Sequence, residues 1–342
     1  MRPRRPPRPP RWLHQGTLTP PRGYATIAAV GAGPDGLPIA LWTRPQDAGA
    51  LHERHAQGKH AASFARTHPT RPPAAAVTRH TGSGSLAQVT ELAEVTVSFP
   101  FVQPLPDGGF VLVGARAGWH PDRGGEHNAV RYTAEGHIGA TGCIGDGVSQ
   151  LQTDAQGRLW AGYFDEGVYG NLGWGGPGPA PLGAPGIVAW SSTASDMGSD
   201  MGSDMGSSAF EIAWAHDDER AIIDDCYALN VAPEAVWACT YSDFPIFRLV
   251  DGACSVVPTV GLRGPSGIIA DGDRVALLGA YHQPELCTVG RITGGEYVET
   301  GRRQLEGFDW ATSLNARLHC RGSVAHLFVG TQWYAVRLAD LP

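Results

Sequence analysis

The chain has little positive charge. Its 342 residues include 26 Lys and Arg against 33 Asp and Glu, and Lys59 is the single lysine. Five of the arginines stand within the first eleven residues, so the rest of the chain is more acidic than the net charge of -7 indicates. An acidic body without a basic stripe argues against nucleic acid as the main partner.

The chain also lacks close cysteine pairs and long apolar runs. None of its six cysteines forms a C-x-x-C pair, and several fall in predicted strands, so we expect buried free thiols. No run approaches the ~18 apolar residues that a membrane span needs. The Arg-rich start has prolines where a signal peptide has its hydrophobic region. We therefore expect a cytoplasmic protein with no membrane partner.

The best-known catalytic fingerprints are missing as well. The sequence holds no Ser-His-Asp nucleophile signature, no P-loop and no dinucleotide-binding fingerprint. The glycine-rich stretch 31–36 is not followed by a helical pattern, so we interpret it as a hairpin turn. The sequence thus leaves open whether the protein catalyses any reaction.

What the chain does contain is a repeated phrase. Its 46 Gly and 27 Pro are spread along the sequence as turn punctuation, which favours many short strands over long helices. The phrase is an apolar run, a tight turn, and a second run that ends in a small residue. Its clearest copy is 148–153, the turn 154–157, and 158–162. A hairpin unit that recurs at such spacing predicts a β-propeller.

Aligning the copies predicts an all-β, six-bladed propeller over residues 12–342. The second strands of the blades are predicted at 37–42, 110–114, 159–162, 236–239, 275–279 and 327–330. The third strands are predicted at 129–133, 186–190, 245–250, 287–293 and 333–338. The fourth strands are predicted at 137–142, 210–215, 255–260 and 297–304. In the first blade, 74–80 and 88–97 are the candidates for these two strands.

Two inserts and the two chain ends complete the predicted organisation. Low-complexity inserts are expected at 44–86, where 47–65 could form a short surface helix, and at 195–208. Residues 1–11 are expected to be a disordered Arg/Pro-rich tail. The last blade lacks an outer strand, and 12–19 is the segment expected to supply it and close the ring. Closure would leave no long unpaired strand edge.

One stretch carries a family resemblance. The segment Gly145-Asp146-Gly147-Val148, followed by Gly157-Arg158-Leu159-Trp160-Ala161-Gly162 and Glu166-Gly167-Val168-Tyr169, resembles the repeat of two-component-regulator sensor propellers. It is similar, more loosely, to the lactonase and lyase propellers. The resemblance implies a propeller. The lactonase family also implies a divalent ion in a central funnel, and no motif here places its ligands residue by residue.

The unusual residues gather on one predicted face. In a four-stranded blade, the loops from strand two to three and from strand four to the next blade share one end, while the plain turns lie at the other. Aromatic, acidic and imidazole groups concentrate in the former loops, which predicts a small-molecule site at a central mouth. The candidate ligand-binding residues are Arg116, Trp119, His120, Tyr163, Asp165, Glu166, Tyr241, Asp243, Tyr281, His282 and Asp309.

A metal site is the alternative for the carboxylates. Asp165 and Glu166 could bind a divalent cation such as Ca²⁺ together with Asp225 or Asp243, or one of them could act as a general base. A structural role in loop capping is equally open for the pair. His120, His127 and Glu126 could bind Zn²⁺ or Fe²⁺, although they lack a close metal-ligand spacing.

Three functions follow as hypotheses. The first is a propeller whose acidic and aromatic mouth binds a small polar or cationic molecule, because aromatic faces attract cations. The second is a lactonase- or lyase-like enzyme that uses a divalent ion at the same mouth. The third is a scaffold that binds a protein surface over that face.

Overall fold

A computed structural model describes residues 9–56, 63–192, 209–218, 221–310 and 316–342. The described residues form an all-β structure of small antiparallel sheets. The strands are β1 Leu13–Thr17, β2 Thr26–Ala32, β3 Pro38–Thr43, β4 Arg54–Ala56, β5 Ser63–Ala65, β6 Ala75–His80, β7 Leu86–Leu92, β8 Pro100–Pro104, β9 Phe110–Gly114, β10 Trp119–His120, β11 Gly124–Gly125, β12 Ala129–Tyr132, β13 Ile138–Gly142, β14 Val148–Thr153, β15 Leu159–Tyr163, β16 Ile187–Ser192, β17 Phe210–Ala215, β18 Asp225–Val231, β19 Val236–Tyr241, β20 Ile246–Val250, β21 Ala253–Val257, β22 Gly267–Asp271, β23 Arg274–Leu278, β24 Leu286–Thr293, β25 Glu296–Gln304, β26 Ala316–Arg321, β27 Val324–Val329 and β28 Gln332–Arg337.

Helix is scarce in the described residues. A one-turn α-helix, α1, spans Asp165–Tyr169, and 3-10 turns span Pro45–Asp47, Ala50–His52 and Leu338–Asp340. None of the helices in these ranges is long and apolar enough to cross a membrane. The strand pattern predicted from the turn punctuation is confirmed, with most boundaries within two residues of the predicted ones.

Apart from one parallel bridge, neighbouring strands within the sheets pair antiparallel. Four sheets have four strands each, in the orders β2-β3-β6-β7, β13-β12-β9-β8, β14-β15-β16-β17 and β22-β23-β24-β25. An eight-stranded sheet has the order β1-β28-β27-β26-β18-β19-β20-β21. Within the latter, β26 and β18 meet only at one parallel pair, Asn230 and Cys320. β1 pairs antiparallel with β28, so the predicted segment 12–19 does form a strand beside the last hairpin.

The residues of the repeated turn determine the register of the hairpin that it connects. Between β14 and β15, Asp154 Oδ1 accepts hydrogen bonds from the N–H groups of Gln156 and Arg158 at 3.0 and 2.9 Å. Gly157 has φ +85°, a conformation that a side chain would disfavour. An Asp that bonds the backbone ahead of it and a Gly at positive φ are the ordinary chemistry of a tight turn. This local chemistry fixes the register Thr153 to Leu159.

The hydrophobic core lies between neighbouring sheets. One cluster joins Val111 and Val113 of β9 to Leu151, Leu159 and other residues of the sheet formed by β14 to β17. A second joins β18 and β19 to β22 and β23. Full burial of each such aliphatic side chain contributes about 1.5–3 kcal/mol. The sheets are therefore held face against face. Among the first strands, β2, β8, β14 and β22 lie at the edges of their sheets, and β18 and β26 meet in the middle of the eight-stranded sheet.

These first strands, β2, β8, β14, β18, β22 and β26, are called the inner strands below. A buried polar cluster connects them. Arg321 of β26 donates hydrogen bonds to the carbonyl oxygens of Ala32 and Thr153 at 2.9 and 2.7 Å and to Gln103 Oε1 at 2.6 Å. Asn230 Nδ2 donates to the carbonyl oxygen of Ile268 on β22 at 2.9 Å. One set of hydrogen bonds thus contacts all six inner strands.

The polar cluster lies toward one end of the inner strands. Arg321 directly precedes the β26–β27 turn, and Ala32 and Thr153 are the last residues of β2 and β14. The end that carries the turns between first and second strands is called the hairpin face. The opposite end, which carries the loops from second to third strands and from fourth strands to the next series, is called the mouth face.

The two predicted inserts fare differently. Within 44–86, the predicted helix over 47–65 is wrong for the described residues, which form two 3-10 turns and the short hairpin β4–β5. Leu51 of this segment is fully buried in a core cluster, which anchors it against the first two sheets. The later part supplies β6 and the first residue of β7. The insert at 195–208 lies outside the described residues.

The predicted tail is partly contradicted at its boundary. Pro10 is buried, and its carbonyl oxygen accepts a hydrogen bond from the Glu306 N–H at 3.0 Å. Arg11 forms a parallel bridge with Glu306. These two residues were assigned to the tail because Arg and Pro repeat there, yet backbone hydrogen bonding continues up to them. Residues 1–8 lie outside the described residues.

Candidate functional site

The mouth face carries a cluster of aromatic rings between two consecutive strand series. Tyr227 of the inner strand β18 lies 6.3 Å from Tyr241 and 6.0 Å from Tyr281, measured between ring centroids. The Tyr227 and Tyr281 hydroxyl groups share a hydrogen bond of 2.6 Å. Tyr241 and Tyr281 are each 42% exposed, while Phe244 is buried beneath all three. Tyr227, Tyr241 and Tyr281 are called the tyrosine cluster below.

Carboxylates adjoin the tyrosine cluster. Asp225 lies on the same strand as Tyr227 and pairs directly with Tyr241 on β19. Its Oδ1 accepts a hydrogen bond from the Asp165 N–H at 2.9 Å, which brings α1 against β18. Asp224 accepts a short hydrogen bond from the Tyr169 hydroxyl. Asp165, Asp224 and Asp225 are called the acidic group below.

The acidic group is electrostatically crowded. Burial raises the pKa of Asp225, the Asp165 N–H opposes that rise, and the charges of Asp165 and Asp224 add to it. The hydrogen bond to Tyr281 and burial raise the pKa of Tyr227, and Asp225 contributes to the same shift. Like charges held close together favour either proton uptake or a bound cation. The acidic group and the tyrosine cluster therefore form one negative, aromatic patch.

Arg116 lies in the loop after β9 but has a structural partner. Its Nε and Nη2 donate to the two carboxylate oxygens of buried Asp146 at 2.8 and 2.9 Å, and it also forms an ion pair with Glu166. Its guanidinium lies over the Phe164 ring at 5.4 Å. Burial opposes the charge, but the two carboxylates outweigh it and raise the pKa of Arg116. A bidentate, buried pair of this kind holds loops together.

Tyr163 is contradicted as a ligand contact. It is fully buried at the end of β15. Its hydroxyl donates to the Ile144 carbonyl oxygen at 2.6 Å and accepts from the Trp190 indole N–H at 3.1 Å. A residue at a strand end has a side chain on one face or the other, and the alternation here turns Tyr163 into the core. Burial raises its pKa.

Trp119 and His120 form a separate group. They lie on the small hairpin β10–β11, and the Trp119 N–H donates to the Leu172 carbonyl oxygen at 2.9 Å. His120 Nε2 lies 3.1 Å from Glu126 Oε1, and His68 Nε2 lies 3.8 Å from Glu126 Oε2. An open pocket of about 580 Å³ is lined by His55, Ala65, Arg66, Thr67, His68, Gly118, His120, Glu126 and Leu172. His127 instead contacts Thr141, at 3.0 Å.

The other candidates lie on exposed loops. Asp243 follows Tyr241 by two residues, and His282 follows Tyr281 and has φ +61°. Asp309 is exposed beside the half-buried Trp310. Asp243 and His282 are thus near the tyrosine cluster through their neighbours in sequence, Tyr241 and Tyr281.

The candidate metal ligands do not converge. Glu166 pairs with Arg116, and the Asp165 carboxylate accepts a hydrogen bond from its neighbour's N–H at 2.7 Å. Within the described ranges, no group of three or more His, Cys, Asp or Glu is arranged to hold a metal ion. The donor set proposed for a divalent cation such as Ca²⁺, namely Asp165, Glu166, Asp225 and Asp243, therefore does not fit that role as it stands.

A cavity also opens on the hairpin face. It has a volume of about 480 Å³ and is lined in part by Trp160, Trp214, Arg158, Pro233 and Glu234. Asp154 at its edge is already bonded to Arg158 and to the Trp160 indole N–H, at 2.7 and 3.1 Å. These bonds hold Asp154 and Arg158 in the hairpin turn, and the cavity lies at the opposite end from the tyrosine cluster.

Sequence reasoning missed the central member of the patch. Tyr227 lies inside the strand β18, whereas the candidate residues were predicted mainly in loops and at strand ends. The strand bulges at this residue, since the register between β18 and β19 shifts between Cys226 and Ala228. The signal that was available is the sequence Asp224-Asp225-Cys226-Tyr227, in which a tyrosine closely follows paired acids at the start of an inner strand.

Comparison with known proteins gives a likeness of fold. No family model matches the chain, and no curated protein matches it. The extracellular domain of the putative one-component system BT4673 from B. thetaiotaomicron is 8% identical with a TM-score of 0.42, over 98% of this chain and 42% of that one. YCF48 from Cyanidioschyzon merolae is 10% identical with a TM-score of 0.40, over 95% and 98%. A luciferin-regenerating enzyme is 10% identical with a TM-score of 0.42, over 92% of each chain.

These matches are to propeller-type proteins, and this chain resembles them in fold. At TM-scores of 0.40 to 0.42 these matches carry no further argument, and the antiparallel strand series of the described residues are what agree with the propeller predicted from the repeated phrase. Such distant matches do not bear on what the chain binds, because propellers host many unrelated activities.

Proposed function

We propose that the chain is a six-bladed β-propeller closed by its N-terminal strand. The eight-stranded sheet then consists of two blades, β18 to β21 and β26 to β28 with β1, that meet at a single bridge near the axis. The buried polar cluster supports this arrangement, because the hydrogen bonds of Arg321 and Asn230 contact every inner strand. Pairing of β1 with β28 supports closure.

We further propose that this propeller binds a small cationic molecule at the mouth face. The observation that carries the proposal is the position of Asp225, which pairs with Tyr241 across the strands and shares β18 with Tyr227. Exposed tyrosine faces attract a cation by about 0.5–2 kcal/mol each, more as water is excluded. Carboxylates beside them add Coulomb attraction.

The proposed ligand also relieves the crowding of the acidic group. A cation between Asp225 and the tyrosine cluster lowers the energy of the ionised carboxylates, since burial and then their mutual repulsion raise the pKa of Asp225. A hydrophobic cation with a short tail suits the half-exposed tyrosine rings better than a strongly hydrated one.

Isothermal titration calorimetry with butyltrimethylammonium tests this function. We expect wild-type protein to bind it, and Tyr227→Leu and Asp225→Asn each to weaken binding at least about fivefold. Asp271→Asn changes an exposed carboxylate at the hairpin-face end of β22; it is the matched control and should leave the dissociation constant unchanged. Equal binding by Tyr227→Leu and wild type would disprove the proposal.

The divalent-metal alternative, a lactonase- or lyase-like enzyme, has no specific observation in its favour. The pairing of Glu166 with Arg116 removes one of its four candidate ligands. A protein partner over the same face and the cytoplasmic location stay predictions from the sequence.

A further inference from the structure

A second charged group lies at the same mouth, and its sign is opposite to that of the acidic group. Arg317 is the second residue of the inner strand β26, near the mouth face, and is half-buried. In the ranges that the structure describes, no carboxylate pairs with it, and burial alone accounts for the lowering of its pKa. A guanidinium withdrawn from water without a carboxylate is a costly arrangement.

The direction of Arg317 follows from the residues that share its strand face. Side chains at alternate positions of a strand point to the same side. Arg321 reaches the Ala32 carbonyl oxygen on β2, at 2.9 Å. His319 contacts the backbone at Val30, which places it against β2 as well. Arg317 therefore faces β2 at the level nearest the mouth.

The effect of Arg317 on His52 shows that these two side chains lie near each other. Burial lowers the pKa of His52, and the nearby Arg317 charge lowers it further. The His52 ring packs edge-on against Phe99 at 5.4 Å, so the segment between β3 and β6 reaches this position. Arg317 and His52 thus provide a cation and a neutral imidazole at one side of the mouth.

Arg317 and the tyrosine cluster lie at the same height along the inner strands. Tyr227 and Arg317 each stand three residues before the parallel bridge between Asn230 and Cys320. At about 3.3 Å per residue, both lie about 10 Å from that bridge on the mouth side. The mouth therefore has a negative, aromatic side and a positive side at one level.

We propose that Arg317 is an anion subsite and that the ligand of the mouth carries a carboxylate in addition to its cationic group. Arginine binds carboxylates through two parallel hydrogen bonds, and a ligand of this kind would supply the missing counter-charge. This inference rests on the proposed cation-binding function, and it narrows the ligand to a zwitterion of the amino-acid or betaine type.

Paired series of probes test the subsite. One series consists of ω-trimethylammonio carboxylates with one to five methylene groups between the charges, and the other of alkyltrimethylammonium ions of matched length. Calorimetry should show at least one carboxylate binding about tenfold tighter than its matched alkyl ion. In Arg317→Met that ratio should fall to about one, while binding of the alkyl ions changes little.

The outcomes separate the two proposals. Binding of the alkyl ions with a ratio near one at every length, or a ratio that survives in Arg317→Met, overturns the anion subsite and leaves the cation site in place. Failure of both series to bind overturns both proposals.

Arg317→Met should keep the thermal midpoint of the wild type, since no described residue depends on Arg317 for a hydrogen bond. Arg317→Lys should retain part of the carboxylate preference.

Discussion

At the scale of single residues, histidines in the interior give the fold a distinct response to acid. Burial lowers the pKa of His326 to about 4 and that of His319 to about 3. His326 accepts a hydrogen bond from the Trp333 indole N–H at its Nδ1, at 3.2 Å, and stacks on that ring. Both rings are neutral in the folded state at pH 5, whereas the same residues bind protons below about pH 6.5 in the unfolded chain.

The unfolded state therefore binds more protons between about pH 6.5 and 4, and the free energy of unfolding falls as the pH falls through this window. For His326→Gln we expect the loss between pH 7 and pH 5 to be smaller than in wild type by about 2 kcal/mol. Urea unfolding at the two pH values measures it. Replacing His137, an exposed turn residue, is the control; identical losses in wild type and His326→Gln would contradict the expectation.

Residue chemistry also shows that two of the predicted site residues have structural partners. Arg116 and Tyr163 have the side chains of a binding site, but one is held by Asp146 and the other is buried in the core. The sequence predicts which residues lie in loops or at strand ends, but it does not reveal whether a given side chain points into the core or toward the mouth. Arg317 and Tyr227 give no such signal, because both stand inside strands, where alternation usually indicates packing.

At the scale of elements, the proposed closure of the ring depends on β1. Leu18, just after it, is fully buried, and its N–H donates to the Thr331 carbonyl oxygen at 2.7 Å. Removing residues 1–18 should expose the edge of β28 and lower the free energy of unfolding by at least about 3 kcal/mol, since Trp12 and Leu18 both lose their burial.

Urea unfolding and size-exclusion chromatography measure the consequence. A truncation that removes only residues 1–8 serves as the control and should behave as wild type. Leu18→Ala offers a milder test, with an expected cost of about 2–5 kcal/mol. If the two truncations were equally stable and equally monodisperse, β1 would not close the ring.

Elements were the level at which the sequence was most informative. Turns such as Asp154 to Gly157 are stabilised by residues within the turn, namely an Asp that bonds the backbone and a Gly at positive φ. The strands on either side could therefore be located within one or two residues. The segment between β3 and β6 was misjudged because its alanines favour helix locally. Burial of Leu51 against other sheets decides its conformation, and that contact is not local.

At the scale of the whole molecule, the two ends of the inner strands have different roles. The buried polar cluster around Arg321 ties the strands together toward the hairpin face. Beyond it, the tyrosine cluster, the acidic group and Arg317 lie toward the mouth face. The alternation of loops predicted two unlike faces, but the cluster that joins all inner strands depends on long-range pairing that no local pattern reveals.

Photolabelling tests the position of the site in the whole molecule most directly. An alkyltrimethylammonium probe that carries a diazirine in its tail is irradiated with the wild-type protein, and the labelled residues are mapped by mass spectrometry. The account predicts labels at Tyr227, Tyr241, Tyr281 and Asp225 that are suppressed by excess butyltrimethylammonium. Suppressible labels confined to Trp160 and Trp214, in the cavity of the hairpin face, would contradict it.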